Sequence, residues 1–149
     1  MIHGLDTGFL IAAALEEHPL HVAAKKTLRE LIIRGDAIGV APQILAEFIH
    51  VATEPRRFSE PLSTEKARLM AEQWWTASDT VQVFPNHSAT KQFLSWLRIH
   101  SLGRKRLLDT LLAATYLKAE IFSILTTNPT DFTIFGSMTC ITPGTVIPD

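Results

Sequence analysis

Short apolar runs alternate along this chain with longer stretches in which apolar residues recur every three or four positions. Ile2 to Leu5 is the first run, and Asp6-Thr7-Gly8 opens a helical pattern that continues through Leu15. A second helix is predicted over His21 to Arg34, with Val22, Leu28, Leu31 and Ile32 as its apolar stripe and Gly35-Asp36 as its stop. Ala37 to Val40 reads as a strand. Pro42 suits the first turn of a helix reaching Thr53, which Glu54-Pro55 ends. After a loop from Arg56 to Ser63, a Ser63-capped helix over Thr64 to Ser78 and a strand over Val81 to Phe84 follow. Pro85-Asn86 then turns the chain.

Ser88 to His100 has helical spacing in Phe93, Leu94, Trp96 and Leu97, with Gly103 as its expected stop. The next predicted helix, Leu107 to Ala119, is apolar nearly all round, so it should lie beneath other elements. Phe122 to Thr126 reads as a strand, Asn128-Pro129 as a turn, and Met138 to Ile141 as a last short strand. Strands separated by helices imply a mainly parallel sheet of four to five strands with helices on both faces. The fold class is therefore α/β. No repeat, low-complexity tract or linker interrupts residues 1–149, and one domain is expected.

Three acids interrupt the apolar runs: Asp6 in IHGLDTGFLIAAAL, Glu47 in QILAEFIHVA and Asp109 in RLLDTLLAATYL. Each has a structural role open to it. Asp6 can cap the helix it precedes, Asp109 can complement the dipole of its helix N-terminus, and Glu47 lies at the border of an apolar stripe formed by Ile44, Phe48 and Val51. Functional groups in open parallel sheets gather beyond the carboxyl ends of the strands, which is where Asp6, Thr126 and Asn128 fall. If the three acids meet there, their mutual repulsion calls for a cation. All-oxygen ligation favours Mg²⁺ or Mn²⁺, and magnesium commonly bridges carboxylates to phosphate oxygens. Phosphodiester chemistry is the reaction class this points to.

With a formal net charge of −1, no global basic field draws nucleic acid to the chain, so local clusters must do so. The candidates are Arg104-Lys105-Arg106, Arg56-Arg57, and Lys91 with Arg98. Cys140 is the only cysteine, which excludes an internal disulfide and a thiolate zinc site. Its strand-like context has no basic neighbour and predicts an inert thiol. A reducing cytoplasm fits this usage, and neither a leader sequence nor a membrane-length apolar run is read in the chain. His18 and His21 lack a third ligand and suit turn or surface roles. Asp6-Thr7-Gly8 spells the aspartic-protease triplet, but here it opens a helix. Gly8 also stands where a haloacid-dehalogenase-like phosphatase needs a second Asp.

Taken in order and spacing, these acids and the terminal stretch LTTNPTDF from Leu125 to Phe132 resemble a PIN-domain ribonuclease of the VapC toxin type, over almost the whole chain. The resemblance implies a metal-dependent endoribonuclease in which Asp6, Glu47 and Asp109 are ligands of Mg²⁺ or Mn²⁺. It also implies a small antitoxin that can insert a basic side chain into the acidic pocket, and homodimerisation. Asn128 stands where many relatives have a fourth acid, and Asp131 follows three residues later. An amide offers oxygen without charge, so the fourth ligand and the number of metals stay open. Thr126 is a candidate supporting group, and Arg104, Lys105 and Arg106 are candidate phosphate contacts. Met70, Trp74 and Trp75 on one predicted helix suit either the core or a partner surface. The competing reading is a PIN-like RNA- or protein-binding module with weakened catalysis.

Overall fold

A computed structural model describes residues 1–147. Among these residues, five short strands form one all-parallel sheet in the order β3-β2-β1-β4-β5: β1 Ile2–Leu5, β2 Ala37–Val40, β3 Thr80–Gln82, β4 Ser123–Leu125 and β5 Thr139–Ile141. Consecutive residues of β1 and β4 are buried, although neighbouring side chains on a strand point to opposite faces. Both faces of the central strands are therefore covered, as expected for a parallel sheet.

Seven helices cover the sheet among the described residues: α1 Thr7–Ala14, α2 His21–Ile33, α3 Pro42–Ala52, α4 Thr64–Thr76, α5 His87–Ile99, α6 Leu107–Lys118 and α7 Thr130–Thr133. The main packing runs from α1 to α2 and α3, from α3 to α4, and from α6 to α5 and α7. Local chemistry sets most helix starts. Ser63 accepts the Lys66 amide at 3.2 Å, Asn86 accepts the Ala89 amide at 2.8 Å, and Pro42 sits in the first turn of α3. Gly35 ends α2 at φ +85°, a conformation that Gly adopts without steric cost.

Several predicted details move. The buried line of α2 is Ala24, Thr27 and Leu31, while Val22 is 80% exposed, because the helix turns its small residues toward α1. β3 lies at 80–82 instead of 81–84: Val83 still donates to the Val40 carbonyl at 3.0 Å, but Pro85 has no N–H with which to extend a ladder. α5 starts at His87 because Asn86 is its cap. It ends before Ser101, which takes the left-handed conformation at φ 50°, so Gly103 is not the stop. The turn at Asn128-Pro129 leads into α7, an unpredicted single helical turn. Met70, Trp74 and Trp75 are all half-buried and pack against the core.

Tyr116 pins the centre of the sheet. Its ring fills the space over Gly4, where any Cβ would collide with it. The phenol oxygen lies 2.7 Å from the Leu5 carbonyl, 3.0 Å from the Gly39 carbonyl and 3.2 Å from the Leu5 amide. One fully buried side chain of α6 thus ties together β1 and β2 next to Asp6.

Candidate metal centre

The order β3-β2-β1-β4-β5 sends the chain to opposite sides of β1, which creates a crevice between the carboxyl ends of β1 and β4. Asp6 follows β1 there, and its amide continues the ladder to the Leu125 carbonyl at 3.0 Å. An open cavity of about 560 Å³ occupies this edge. Asp6, Glu47, Asp109, Asn128 and Asp131 all line it, so five of the predicted site residues share one space. Thr126 is fully buried just beneath.

Asp6 is held at both oxygens. Oδ1 accepts the Thr7 amide at 2.8 Å, and Oδ2 accepts the Thr126 hydroxyl at 2.7 Å. The capping role and a functional role are therefore compatible, because each oxygen keeps lone-pair capacity. Thr126 Oγ1 also accepts the Asn128 amide at 3.0 Å, which fixes the turn after β4. Glu47 is half-buried at the edge of the Ile44 and Phe48 stripe, where its Oε2 accepts the Thr7 hydroxyl at 2.8 Å. Gln43, one helical turn earlier, donates from Nε2 to the Leu108 carbonyl at 3.0 Å, tying α3 to the start of α6. Asp109 projects from the first turn of α6 into the cavity.

Burial raises the Asp6 carboxyl from 3.8 to about 7, and the nearby Asp109 and Glu47 charges add to the rise, while the Thr126 and Thr7 hydrogen bonds oppose it. Burial likewise brings Asp109 up to about 6, with Asp131 reinforcing the effect and Arg106 opposing it. The protein alone therefore leaves this acidic cavity short of positive charge. A hard divalent cation fits that deficit and the oxygen-rich donor set of carboxylates, amide and hydroxyls. Among the described residues, no three His, Cys, Asp or Glu side chains approach closely enough to enclose an ion by themselves. Such a cation would thus be held by one or two carboxylates with water completing its shell, the habit of magnesium.

The basic run predicted to contact phosphate is placed differently. Arg104, Lys105 and Arg106 form a 3₁₀ turn before α6, and none of them lines the cavity. Arg104 and Lys105 are exposed. Arg106 turns inward, its Nη2 donating to the Asp131 carbonyl and its Nη1 lying 3.8 Å from Asp131 Oδ1. Cavity residues that the sequence reading left out of the site include Thr7, Thr127, Glu17, His18 and Phe58. Only Thr7 and His18 carried any signal, as parts of the Asp-Thr-Gly triplet and the histidine pair. His18 Nδ1 accepts the Leu20 amide at 3.0 Å, which puts the ring proton on Nε2, and burial, followed by the neighbouring His21, pulls its pKa down. Cys140 is half-buried, with its thiol pKa pushed up first by burial and then by Asp6.

A family profile described as PIN domain matches residues 5–133. The chain belongs to the PIN-domain family. Solved PIN-fold structures superpose on it at low sequence identity. VapC20 of Mycobacterium tuberculosis, described as a toxin cleaving the sarcin-ricin loop, is 18% identical with a TM-score of 0.63, over 83% of this chain and 87% of that one. VapBC2 of Rickettsia felis, solved bound to a DNA fragment from its promoter, is 16% identical with a TM-score of 0.69, over 95% of this chain and 98% of that one. VapBC-1 of nontypeable Haemophilus influenzae is 18% identical with a TM-score of 0.65, over 95% and 98%. No curated protein matches the sequence. Among the described residues, no helix of this PIN domain is long and apolar enough to cross a membrane.

Proposed function

We propose that this PIN domain is a metal-dependent endoribonuclease, the toxin of a VapBC-like toxin–antitoxin module, acting on RNA in the cytoplasm with Mg²⁺ or Mn²⁺. One observation carries the reading: Asp6, Glu47 and Asp109, distant in sequence, line a single cavity at the carboxyl edge of a parallel sheet. The similarity to VapC20 supports RNA as the substrate, and the similarity to VapBC complexes supports a small antitoxin partner. Homodimerisation is an expectation of the same family reading, as is a single functional domain over residues 1–149.

In this reading Asp6, Glu47 and Asp109 hold the ion, one or two of them directly and the rest through its bound water, with Asn128 and Asp131 as further oxygen donors. The bound ion supplies Lewis-acid polarisation of the phosphate and lowers the pKa of the attacking water. The protein's own contribution is preorganisation. Thr7 and Thr126 fix Asp6, the Thr7 hydroxyl fixes Glu47, and the Tyr116 pin holds the strand end from which Asp6 projects. Rigid placement of this kind spares the site reorganisation when charge develops on the phosphate.

Asn128 favours a second reading, a module that binds RNA or protein without cutting, because it lines the cavity with a neutral amide. RNA incubated with purified wild type and with Asp6→Asn, in Mn²⁺ and in chelator, separates the two. The nuclease reading expects products in one lane only, wild type with metal. Background-level products in all four lanes would leave the binding module standing.

A further inference from the structure

Of the fifteen residues that line the cavity, five are acidic (Asp6, Glu17, Glu47, Asp109 and Asp131), and Arg57 is the single Lys or Arg. An RNA strand entering this space brings more negative charge, so a fixed cation at its wall has a specific use. The Arg57 side chain is exposed, and its guanidinium makes no hydrogen bond or ion pair among the described residues. It is also absent from the charges that act on Asp6 and Asp109, whereas Arg106 is committed to Asp131. The acids do not use Arg57, which leaves its five N–H donors for an incoming anion.

The loop carrying Arg57 is also held in place. Glu17, in the connection between α1 and α2, accepts the Ser59 amide at Oε1 (2.5 Å) and the Glu60 amide at Oε2 (3.3 Å). These bonds tie residues 59 and 60, just after Arg57 and Phe58, to the cavity wall formed by Glu17, His18 and Pro19. Phe58, beside Arg57, packs partly against the core and gives the loop an apolar foot.

We propose that Arg57 is the phosphate-contacting residue of the cavity, gripping the RNA backbone beside the scissile bond, and that Glu17 is its positioning residue. The proposal rests on the ribonuclease reading for its substrate class. It replaces the 104–106 run as the main phosphate contact.

The test measures anisotropy of a labelled, mixed-sequence, single-stranded 20-nucleotide RNA across a salt series, with Ca²⁺ replacing Mg²⁺, for wild type, Arg57→Ala, Arg57→Lys and Glu17→Ala. Arg57→Ala should bind about tenfold more weakly, with the magnitude of its log–log salt slope reduced by about 0.7, the share of one single-strand phosphate. Arg57→Lys should recover the slope, because a point charge suffices for counterion release. Glu17→Ala should weaken binding in the same direction, and in Mn²⁺ cleavage assays the loss in both alanine variants should fall on KM more than on kcat. Arg57→Ala with wild-type affinity and slope overturns the proposal even if wild type cuts RNA, as does a wild type that fails to bind the probe. RNA binding that depends on Arg57 without any cleavage in Mn²⁺ would uphold the phosphate contact but overturn the nuclease reading, and with it the placement beside a scissile bond.

Discussion

The Thr7 hydroxyl lies 2.8 Å from Glu47 Oε2, while the amide of the same residue donates to Asp6 Oδ1 at 2.8 Å. One residue at the start of α1 therefore orients two acids that are 41 positions apart in the chain, one from its own helix start and one from α3. Outer-shell donors of this type set the direction of a carboxylate before any cation arrives, and losing one costs roughly 10- to 100-fold in metal affinity or activity.

Thr7→Val keeps the shape and the amide donor but removes the hydroxyl. Mn²⁺ affinity measured by titration calorimetry is expected to fall about tenfold or more, while Thr7→Ser keeps it near wild type. Equal affinities in all three proteins would show that Glu47 orientation does not matter for the ion.

Proton linkage gives a prediction for the metal-free protein. Asp6 and Asp109 titrate near 7 and 6 in the fold against about 3.9 in an unfolded chain, so between those values the folded state holds more protons than the unfolded one. The stabilisation is complete below about pH 4 and is lost as pH rises through 6 and 7. In chelator, the urea midpoint of wild type relative to Asp6→Asn should be lower at pH 7.5 than at pH 5. Saturating Mn²⁺ should remove the deficit by binding the ionised form. A wild-type-minus-variant difference that is flat with pH in chelator would contradict the burial argument.

Thr126→Val tests the other Asp6 oxygen. Removing the hydroxyl deletes the hydrogen bond that most lowers this carboxyl's pKa. The pH at which Mn²⁺ binding reaches half its maximum should therefore rise relative to wild type. An unchanged binding profile would remove Thr126 from the site.

The acids were legible in the sequence because a carboxylate inside an apolar run conflicts with burial unless something compensates it, and all three lead to one cavity. The strand and helix alternation was legible for a similar reason: the Ser63 cap, Pro42 in a first turn and the stop at Gly35 act locally. What could not be read depends on partners far along the chain. Thr7 and Glu47, Glu17 and Ser59, and Tyr116 and Gly4 are pairs made by tertiary packing, and no spacing in the sequence announces them. Arg106 shows the converse error, since a charged run suggests a solvated phosphate clamp until Asp131 is seen beside it.

The Tyr116 pin predicts a stability effect separate from chemistry. Tyr116→Phe removes the fully buried phenol, whose single O–H proton is shared between the Leu5 and Gly39 carbonyls, and a buried acceptor left without its donor costs about 1–3 kcal/mol. Chemical denaturation should show a loss of that size. Gly4→Ala should be at least as damaging because the added methyl meets the ring itself. A neutral Tyr116→Phe would mean that water or backbone adjustment satisfies those carbonyls.

The central claim is that residues 6, 47 and 109 share one divalent cation, and an anomalous difference map from Mn²⁺-soaked crystals of the protein tests it most directly. The account predicts a peak in the cavity in direct or water-bridged contact with the Asp6, Glu47 and Asp109 carboxylates, and its loss in Asp6→Asn crystals soaked in the same way. An empty cavity in wild type, or a peak that persists unchanged without the Asp6 carboxylate, would contradict it.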